Sequence, residues 1–121
     1  MNTASIPTKQ LNDDTVVINP GGQLDNSNAH ILTEAISRAQ NSGFRYIIVD
    51  MKQLEFISSA GVGSILGSVE ISREANGDIV ICNASENIMH VLSVLDLTEY
   101  LTIRSDRNQA EEFCGVRKER V

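Results

Sequence analysis

Two adjacent serines, Ser58 and Ser59, precede a run of small residues that contains Gly61, Gly63 and Gly67. A serine at the start of a helix can cap the helix, accept a covalent phosphate or act as a nucleophile. Because a helix N-terminus carries unpaired amide groups and a positive partial charge, an anion is favoured there. The segment therefore predicts a phosphorylatable serine or an anion-binding turn.

Three enzyme-type interpretations require residues that this segment lacks. Its GxGxxxG spacing is one residue longer than the dinucleotide fingerprint, and the acidic residue near the required distance, Asp78, stands at a turn before a strand. A P-loop requires Lys before Ser or Thr. A nucleophile elbow requires Gly where this chain has Ile57. A small nucleotide-binding protein that uses the glycine-rich turn remains the hypothesis from the enzyme class.

The three glycines are unfavourable for the helix that follows the serines. Each costs about 0.8–1 kcal/mol relative to alanine, so together they cost roughly 2.5–3 kcal/mol of helix preference. For Gly61 and Gly63, next to the serines, we expect a partner or ligand to approach the exposed backbone closely. For Gly67, one turn further, close packing of the helix against the sheet or another helix is equally open.

The elements that position this segment follow from the hydrophobic pattern. Runs of apolar and β-branched residues bounded by turn residues predict strands over 3–10, 15–19, 44–50, 79–82 and 100–103. The first two strands form a hairpin around the turn residues 12–14. Residues 51–57 are a connection with two apolar plugs, Leu54 and Phe56.

Helices are predicted where apolar residues recur at spacings of three and four. Their buried stripes are Ala29, Leu32, Ala35, Ile36 and Ala39 in the first helix, Val62, Ile65, Leu66 and Val69 in the second, and Ile88, Val91, Leu92 and Leu95 in the third. Ser85 is predicted to cap the third helix, and Asp106 a terminal helix through Glu112.

The element order ββαβαβαβα predicts the fold class. Strands that alternate with helices indicate an α/β protein with a mixed, mostly parallel β-sheet and about four helices. The continuous apolar run Ile47–Val49 is typical of a central strand that is buried on both faces. We expect one domain over residues 1–121, with a core over about 15–104, and a C-terminal helix and tail over 105–121.

Composition argues against several functional classes. The 121 residues carry a net charge of −6, which disfavours nucleic acid and anionic membranes as partners. Two histidines and two cysteines, Cys82 and Cys114, form no spaced ligand set, so we expect no metal and no cofactor. The chain shows neither a signal peptide nor an apolar run long enough to insert into a membrane, which predicts a cytoplasmic protein with reduced thiols.

Three motifs resemble one known family. FISSAGVGSILG, at 56–67, resembles the signature F-[IM]-D-S-[STA]-G-[LV]-G of STAS domains, specifically of the anti-sigma factor antagonists. GGQLDNSNA, at 21–29, resembles the segment before the first helix of that family, and IIVDMKQLEFI, at 47–57, resembles its central strand and connection. The resemblance is collinear and spans about residues 15–104.

The resemblance implies a small α/β domain that has no enzymatic activity of its own. In such proteins the unphosphorylated form binds an anti-sigma factor, itself a serine kinase of the histidine-kinase-like ATPase type, and the sigma factor is released. The kinase phosphorylates one serine of the signature, which ends the binding. A PP2C-type phosphatase restores the binding form. The alternative is a non-phosphorylated STAS subunit or scaffold in another signalling or transport assembly.

Aligning the signature places the phosphorylated serine at Ser59. Ser58 is the second choice, and it stands where most phosphorylatable members carry aspartate. The loop aspartate of the family falls on Asp25, for which N-capping of the first helix is the alternative role. The residues that we expect to contact the partner are Asp25, Asn26, Ser58, Ala60, Gly61 and Gly63.

Overall fold

Strands and helices alternate along residues 6–116, the part of the chain that the computed structural model describes. In chain order they are β1 (Thr8–Gln10), β2 (Thr15–Ile18), β3 (Gln23–Leu24), α1 (Ala29–Asn41), β4 (Tyr46–Asp50), β5 (Phe56–Ile57), α2 (Ser59–Glu74), β6 (Asp78–Cys82), α3 (Glu86–Val94), β7 (Thr102–Arg104) and α4 (Arg107–Phe113). The predicted α/β class with four helices is confirmed within this range.

Five strands form the main sheet in the order β1-β2-β4-β6-β7. β1 pairs with β2 antiparallel, as the predicted hairpin requires, and the other neighbours are parallel. The first strand is shorter than predicted, and residues 3–5 of that prediction lie outside the described residues. The last strand begins at Thr102 rather than Tyr100, because the backbone amide of Leu101 still donates to the carbonyl of Leu97 in the preceding turn.

Side chains of the central strands alternate between two apolar layers, as successive residues of a strand must. One layer packs against α1, α2 and α3, and its largest members include Ile18, Ile47, Ile79 and Ile81. The other packs against α4 and consists of Val17, Ile48, Val80, Cys82, Ala110 and Cys114. Burial raises the pKa of both cysteine thiols to about 12, so they are neutral core residues at physiological pH.

The predicted helix stripes are confirmed with one exception. The five stripe residues of α1 are all buried, and in α2 the stripe packs on the sheet with Leu66 half-buried. Leu95 is 46% exposed, because α3 ends at Val94 and the chain turns away there. Ser85 and Asp106 cap α3 and α4 by accepting from the backbone amides of Ile88 and Gln109, as predicted.

A second sheet, formed by β3 and β5, was not predicted from the sequence. Each strand has two residues, and the pairs are Gln23 with Phe56 and Leu24 with Ile57. Leu54 is buried as expected, but the prediction for Phe56 is wrong. Because neighbouring residues of a strand point to opposite sides, Ile57 enters the core and Phe56 is 49% exposed.

The carboxyl end of β4 is tied to α4 by buried charges. Asp50, 6% exposed, accepts hydrogen bonds from the amide of Asn83 at 3.0 Å and from the backbone of Lys52 at 3.1 Å. The guanidinium of Arg107 lies 3.4 Å from Asp50 and 2.7 Å from Glu111.

None of the helices in residues 6–116 is long and apolar enough to cross a membrane.

Candidate functional site

The two-stranded sheet brings together segments that are more than 30 residues apart in sequence. The backbone amide of Ser58 donates to the carbonyl of Leu24 at 2.9 Å, which extends the β3–β5 pairing by one bond. Since the strands are parallel, the residues that follow them, Asp25 and Ser58, leave the sheet at the same edge. Paired strands lie about 4.8 Å apart, so these two residues are neighbours.

Ser58 is the N-cap of α2, and both its side-chain oxygen and its carbonyl accept hydrogen bonds from the first turns of that helix. Its Oγ accepts from the backbone amide of Gly61 at 3.2 Å, and its carbonyl accepts from the amide of Val62 at 2.9 Å. Ser59 is the first residue of the helix and is exposed. Its hydroxyl makes no hydrogen bond within residues 6–116. Of the two candidate serines, Ser59 is thus the accessible one, at the positive end of a helix of 16 residues.

Asp25 builds the turn before α1 but does not cap that helix. The N-cap is Asn28, whose Oδ1 accepts from the backbone of Asp25 at 2.8 Å. Asp25 Oδ1 in turn accepts from the hydroxyl of Ser27 at 2.7 Å and from its amide at 2.9 Å. The Ser27 hydroxyl, followed by its amide, lowers the pKa of Asp25. Asp25 therefore stands beside Ser58 as a fixed carboxylate, and the N-capping alternative is wrong.

Gly61 has a different role from the one expected. It is buried, and a Cβ at this position would lie 2.7 Å from the carbonyl oxygen of Leu24 and 2.9 Å from Cγ1 of Ile57. The missing side chain lets α2 pack directly on the two-stranded sheet. The expectation that Gly61 is exposed was therefore wrong. The approach that its backbone permits is made by the protein's own β3.

Gly63 and Gly67 lie on the outer side of α2. A Cβ at either position would meet nothing within 4 Å, and both residues are exposed. Close packing inside the molecule therefore does not explain Gly67. Gly63, one turn beyond Ser59, is exposed as expected, and its contact with a partner stays a prediction.

The glycine-rich segment does not have the loop geometry that the nucleotide-binding hypothesis requires. Gly61, Gly63 and Gly67 all lie within the regular helix α2, so no glycine-rich loop is present there to hold a pyrophosphate. The Ser59 hydroxyl has no hydrogen-bonded base among the described residues, which a nucleophilic serine needs. Across residues 6–116, no three His, Cys, Asp or Glu side chains are grouped as a metal ion would require.

The exposed and half-exposed residues around the start of α2 form one surface, which we call the α2 N-terminal surface. It consists of Asp25, Asn26, Phe56, Ser58, Ser59, Ala60 and Gly63. Phe56 is the member that the sequence missed, because its exposure follows from the pairing of β3 with β5, which places Ile57 in the core and Phe56 on the opposite side. A hydroxyl, a carboxylate and an aromatic ring around a helix turn with small side chains are suited to contact with a protein.

Comparison with known proteins identifies the family. The profile of the STAS domain family matches residues 6–110. BtrV of Bordetella bronchiseptica, provisionally named an anti-sigma factor antagonist, is 28% identical over 97 residues, which are 80% of this chain and 81% of that protein. The anti-sigma F factor antagonist of Paenibacillus polymyxa is 25% identical over 92 residues, 73% of this chain and 76% of that protein.

Solved structures show the same fold. A provisionally named anti-sigma factor antagonist from Thermotoga maritima matches with a TM-score of 0.83 and 23% identity, over 91% of this chain and 94% of that one. The anti-sigma factor antagonist SpoIIAA in its unphosphorylated form matches with a TM-score of 0.78 and 23% identity, over 94% and 100%. Its phosphorylated form matches with a TM-score of 0.70 and 23% identity, over 90% and 99%.

Proposed function

Because this chain belongs to the STAS domain family, with relatives named anti-sigma factor antagonists, we propose that it is itself an anti-sigma factor antagonist. Its unphosphorylated form binds an anti-sigma factor through the α2 N-terminal surface and so releases a sigma factor. The anti-sigma factor is a serine kinase with a histidine-kinase-like ATPase fold. The protein acts in the cytoplasm by binding rather than by catalysis.

We infer that Ser59 is the residue that switches this binding. The single observation that carries the inference is the division of roles between the two serines. Ser58 accepts from the amide of Gly61 and caps α2, whereas the Ser59 hydroxyl is exposed and makes no hydrogen bond within residues 6–116. A kinase can therefore modify Ser59 without removing the cap of the helix, and a PP2C-type phosphatase can reach the phosphate to remove it.

Phosphorylation of Ser59 would change the surface more than the fold. A phosphate adds about −1.5 to −2 charges at neutral pH. The positive end of α2 favours that charge by about 0.3–1 kcal/mol, while the neighbouring carboxylate of Asp25 opposes it. The two effects partly cancel, so the folded state persists. Burying the unpaired charge in an interface that fits a neutral hydroxyl costs several kcal/mol, so the partner is lost.

The experiment that tests the site is phosphorylation by the cognate anti-sigma factor with ATP, followed by tandem mass spectrometry. We expect one phosphate, on Ser59, in the wild type. Ser59→Ala should not be modified, whereas the matched variant Ser58→Ala should still be modified. Phosphate on Ser58 would assign the switch to that residue instead. A kinase that is active on another substrate but leaves this protein unmodified would contradict the phosphorylation switch.

Binding of the same anti-sigma factor tests the consequence of the modification. Ser59→Asp places a negative charge at the start of α2, so it should keep a native circular dichroism spectrum and bind at least tenfold more weakly. Ser59→Ala should bind like the wild type, because the hydroxyl itself donates no bond that the fold needs. Equal affinity of the two variants in calorimetric titration would refute the proposed interface.

A second candidate function is that of a STAS subunit that is never phosphorylated. The observation that favours it is Ser58, which stands where most phosphorylatable members of the family carry aspartate. In that case the α2 N-terminal surface is a permanent contact in a larger assembly. Stable association with such an assembly, together with no phosphate after kinase treatment, would support this candidate over the first.

A further inference from the structure

The outer edge of β1 carries backbone groups that have no partner strand among residues 6–116. Pro7 accepts from the amide of Asn19 at 3.0 Å, and Leu11 donates to the carbonyl of Thr15 at 2.8 Å. In an antiparallel pair the residues alternate between facing the partner strand and facing away. Thr8 and Gln10 therefore point their amide and carbonyl groups away from β2. All three residues of β1 are exposed, and no described strand pairs with this edge.

Beside this edge lies a cleft of about 230 Å³ between the N-terminal segment and α1. Ile6 and Thr8, which are two residues apart and so share one face of the strand, line one wall, and Ile31 and Ala35 line the other. Two side chains of opposite charge on α1, Glu34 and Arg38, also line the cleft, so within it they offset each other, and the charge that selects the partner is that of Lys9 on the other face of β1. The cleft thus offers an apolar floor next to backbone groups that can form a further row of sheet hydrogen bonds.

We propose that this edge binds an extended segment of a partner protein as an added strand, in which apolar and acidic residues alternate. The added strand bonds to Thr8 and Gln10. Its apolar residues point to the face of Thr8 and enter the cleft, and an acidic residue lies opposite Lys9 on the other face. Strand addition of this kind gains affinity from main-chain bonds and specificity from the alternate side chains.

Charge decides between such a partner and a second copy of this chain. If two copies paired along β1 so that Thr8 and Gln10 of both were bonded, Lys9 would face Lys9 of the other copy. That position is the closest kind of side-chain pair in an antiparallel ladder, and like charges there are destabilising. A lysine in an edge strand therefore disfavours self-association, whereas it attracts an acidic side chain.

The proposed edge is separate from the α2 N-terminal surface, since α1 lies between them. α1 contacts α2 through Gln40, whose amide donates to the carbonyl of Ser68 at 3.0 Å and to the hydroxyl of Ser72 at 3.0 Å. It faces the cleft with Ile31 and Ala35 instead. A partner strand on β1 would leave Ser59 accessible, so the failure of either proposal leaves the other standing.

The test is a titration of the ¹⁵N-labelled full chain with a capped seven-residue peptide of alternating isoleucine and glutamate. We expect saturable shifts at the amides of Thr8, Gln10, Ile31 and Ala35, and unchanged signals at Ser59. Gln10→Pro removes one outward amide and keeps the bonds to β2, so it should weaken binding at least tenfold with little change in melting temperature. The matched variant Lys9→Glu should reverse the preference, toward a peptide with lysine in place of glutamate.

Several outcomes would overturn the proposal. Shifts that do not saturate, shifts centred on the α2 N-terminal surface, or equal affinity of the wild type for the glutamate and lysine peptides would each exclude it. Sedimentation equilibrium tests whether a second copy of this chain binds at the β1 edge instead. A dimer that Gln10→Pro dissociates would assign the edge to a second copy of the chain and refute the acidic partner segment.

Discussion

The two sheets of the molecule differ in how they are held in place. β4 and β6 lie inside the main sheet with apolar layers on both faces, so a residue such as Ile48 or Val80 is fully buried. In the small sheet of β3 and β5, only one residue of each strand, Leu24 or Ile57, is buried. Burial of one such side chain contributes about 1.5–3 kcal/mol, so the small sheet depends on few contacts.

The small sheet is better suited than the main sheet to present a functional site. The central strands of the main sheet are covered by apolar layers on both faces, and this sheet positions the start of α2 only indirectly. The small sheet aligns Asp25 with Ser58 and leaves their polar groups at its open edge. Because the small sheet is covered by the core on one face only, the residues at its edge stay accessible, whereas the central strands of the main sheet are buried. Substitutions should therefore cost more stability in the main sheet than in the small sheet, and those at the open edge of the small sheet should also affect binding.

The largest loss of stability should come from Gly77→Ala, at the residue that precedes β6. A Cβ there would lie 1.6 Å from the carbonyl oxygen of Arg45, which also accepts from the amide of Asp78 at 2.9 Å. Backbone of β4 and β6 would have to separate, which should cost about 3 kcal/mol or more. Urea unfolding monitored by circular dichroism measures the loss. A loss below about 1 kcal/mol would mean that the main sheet yields as easily as the small one.

A smaller loss is expected for Gly61→Ala, which strikes the small sheet. The added methyl would meet the carbonyl of Leu24, but β3 has only two residues and can shift, and alanine favours the helix by about 1 kcal/mol. The net loss should be about 1–2 kcal/mol. The matched control Gly63→Ala has open space and should gain about 0.4–1 kcal/mol. Equal unfolding midpoints for the two variants would contradict the assigned packing of Gly61.

Much of the main sheet could be predicted because its signals are local. The apolar run Ile47–Val49 and the apolar stripe of α1 predict buried faces from residue type and spacing alone. The two-residue strands β3 and β5 escape such reasoning, because a pair of residues shows no periodicity. Their pairing depends on contacts between segments more than 30 residues apart. The exposure of Phe56 and the burial of Gly61 follow from that pairing, so both predictions failed together.

At the candidate site, chemistry was easier to predict than geometry. The small residues after Ser58 indicate a helix start that a partner can approach, and Ser58 does cap α2. The capping role weighed for Asp25 was wrong, because Asn28 holds that position and Asp25 bonds to Ser27 instead. Several neighbouring residues could cap α1, and only the path of β3 decides among them.

A substitution on the outer side of α2 tests the proposed binding of the anti-sigma factor. Gly63→Arg places a long cation on the α2 N-terminal surface without a clash inside the molecule, so the fold should persist. We expect at least a tenfold loss of affinity for the anti-sigma factor, about 1.4 kcal/mol. Gly67→Arg is the matched control, since it lies a turn further from Ser59 and is equally open. Unchanged affinity of a folded Gly63→Arg variant would exclude this surface as the interface.

The smallest effect is expected for Asp25→Asn, which separates the charge of the small sheet's edge from its structure. The Oδ1 of asparagine can still accept from the hydroxyl and amide of Ser27, so stability should change by less than about 0.5 kcal/mol. The lowered pKa of Asp25 keeps it ionised at neutral pH, so the variant removes a full negative charge beside Ser58. If that charge orients the kinase, phosphorylation of Ser59 should slow about two- to fivefold, the effect of an exposed ionic contact of 0.5–1 kcal/mol.

Initial rates of phosphorylation at saturating ATP measure this change. Asp13→Asn, on an exposed turn, is the control for a change in net charge. Equal rates for the wild type and Asp25→Asn would restrict Asp25 to building the turn before α1.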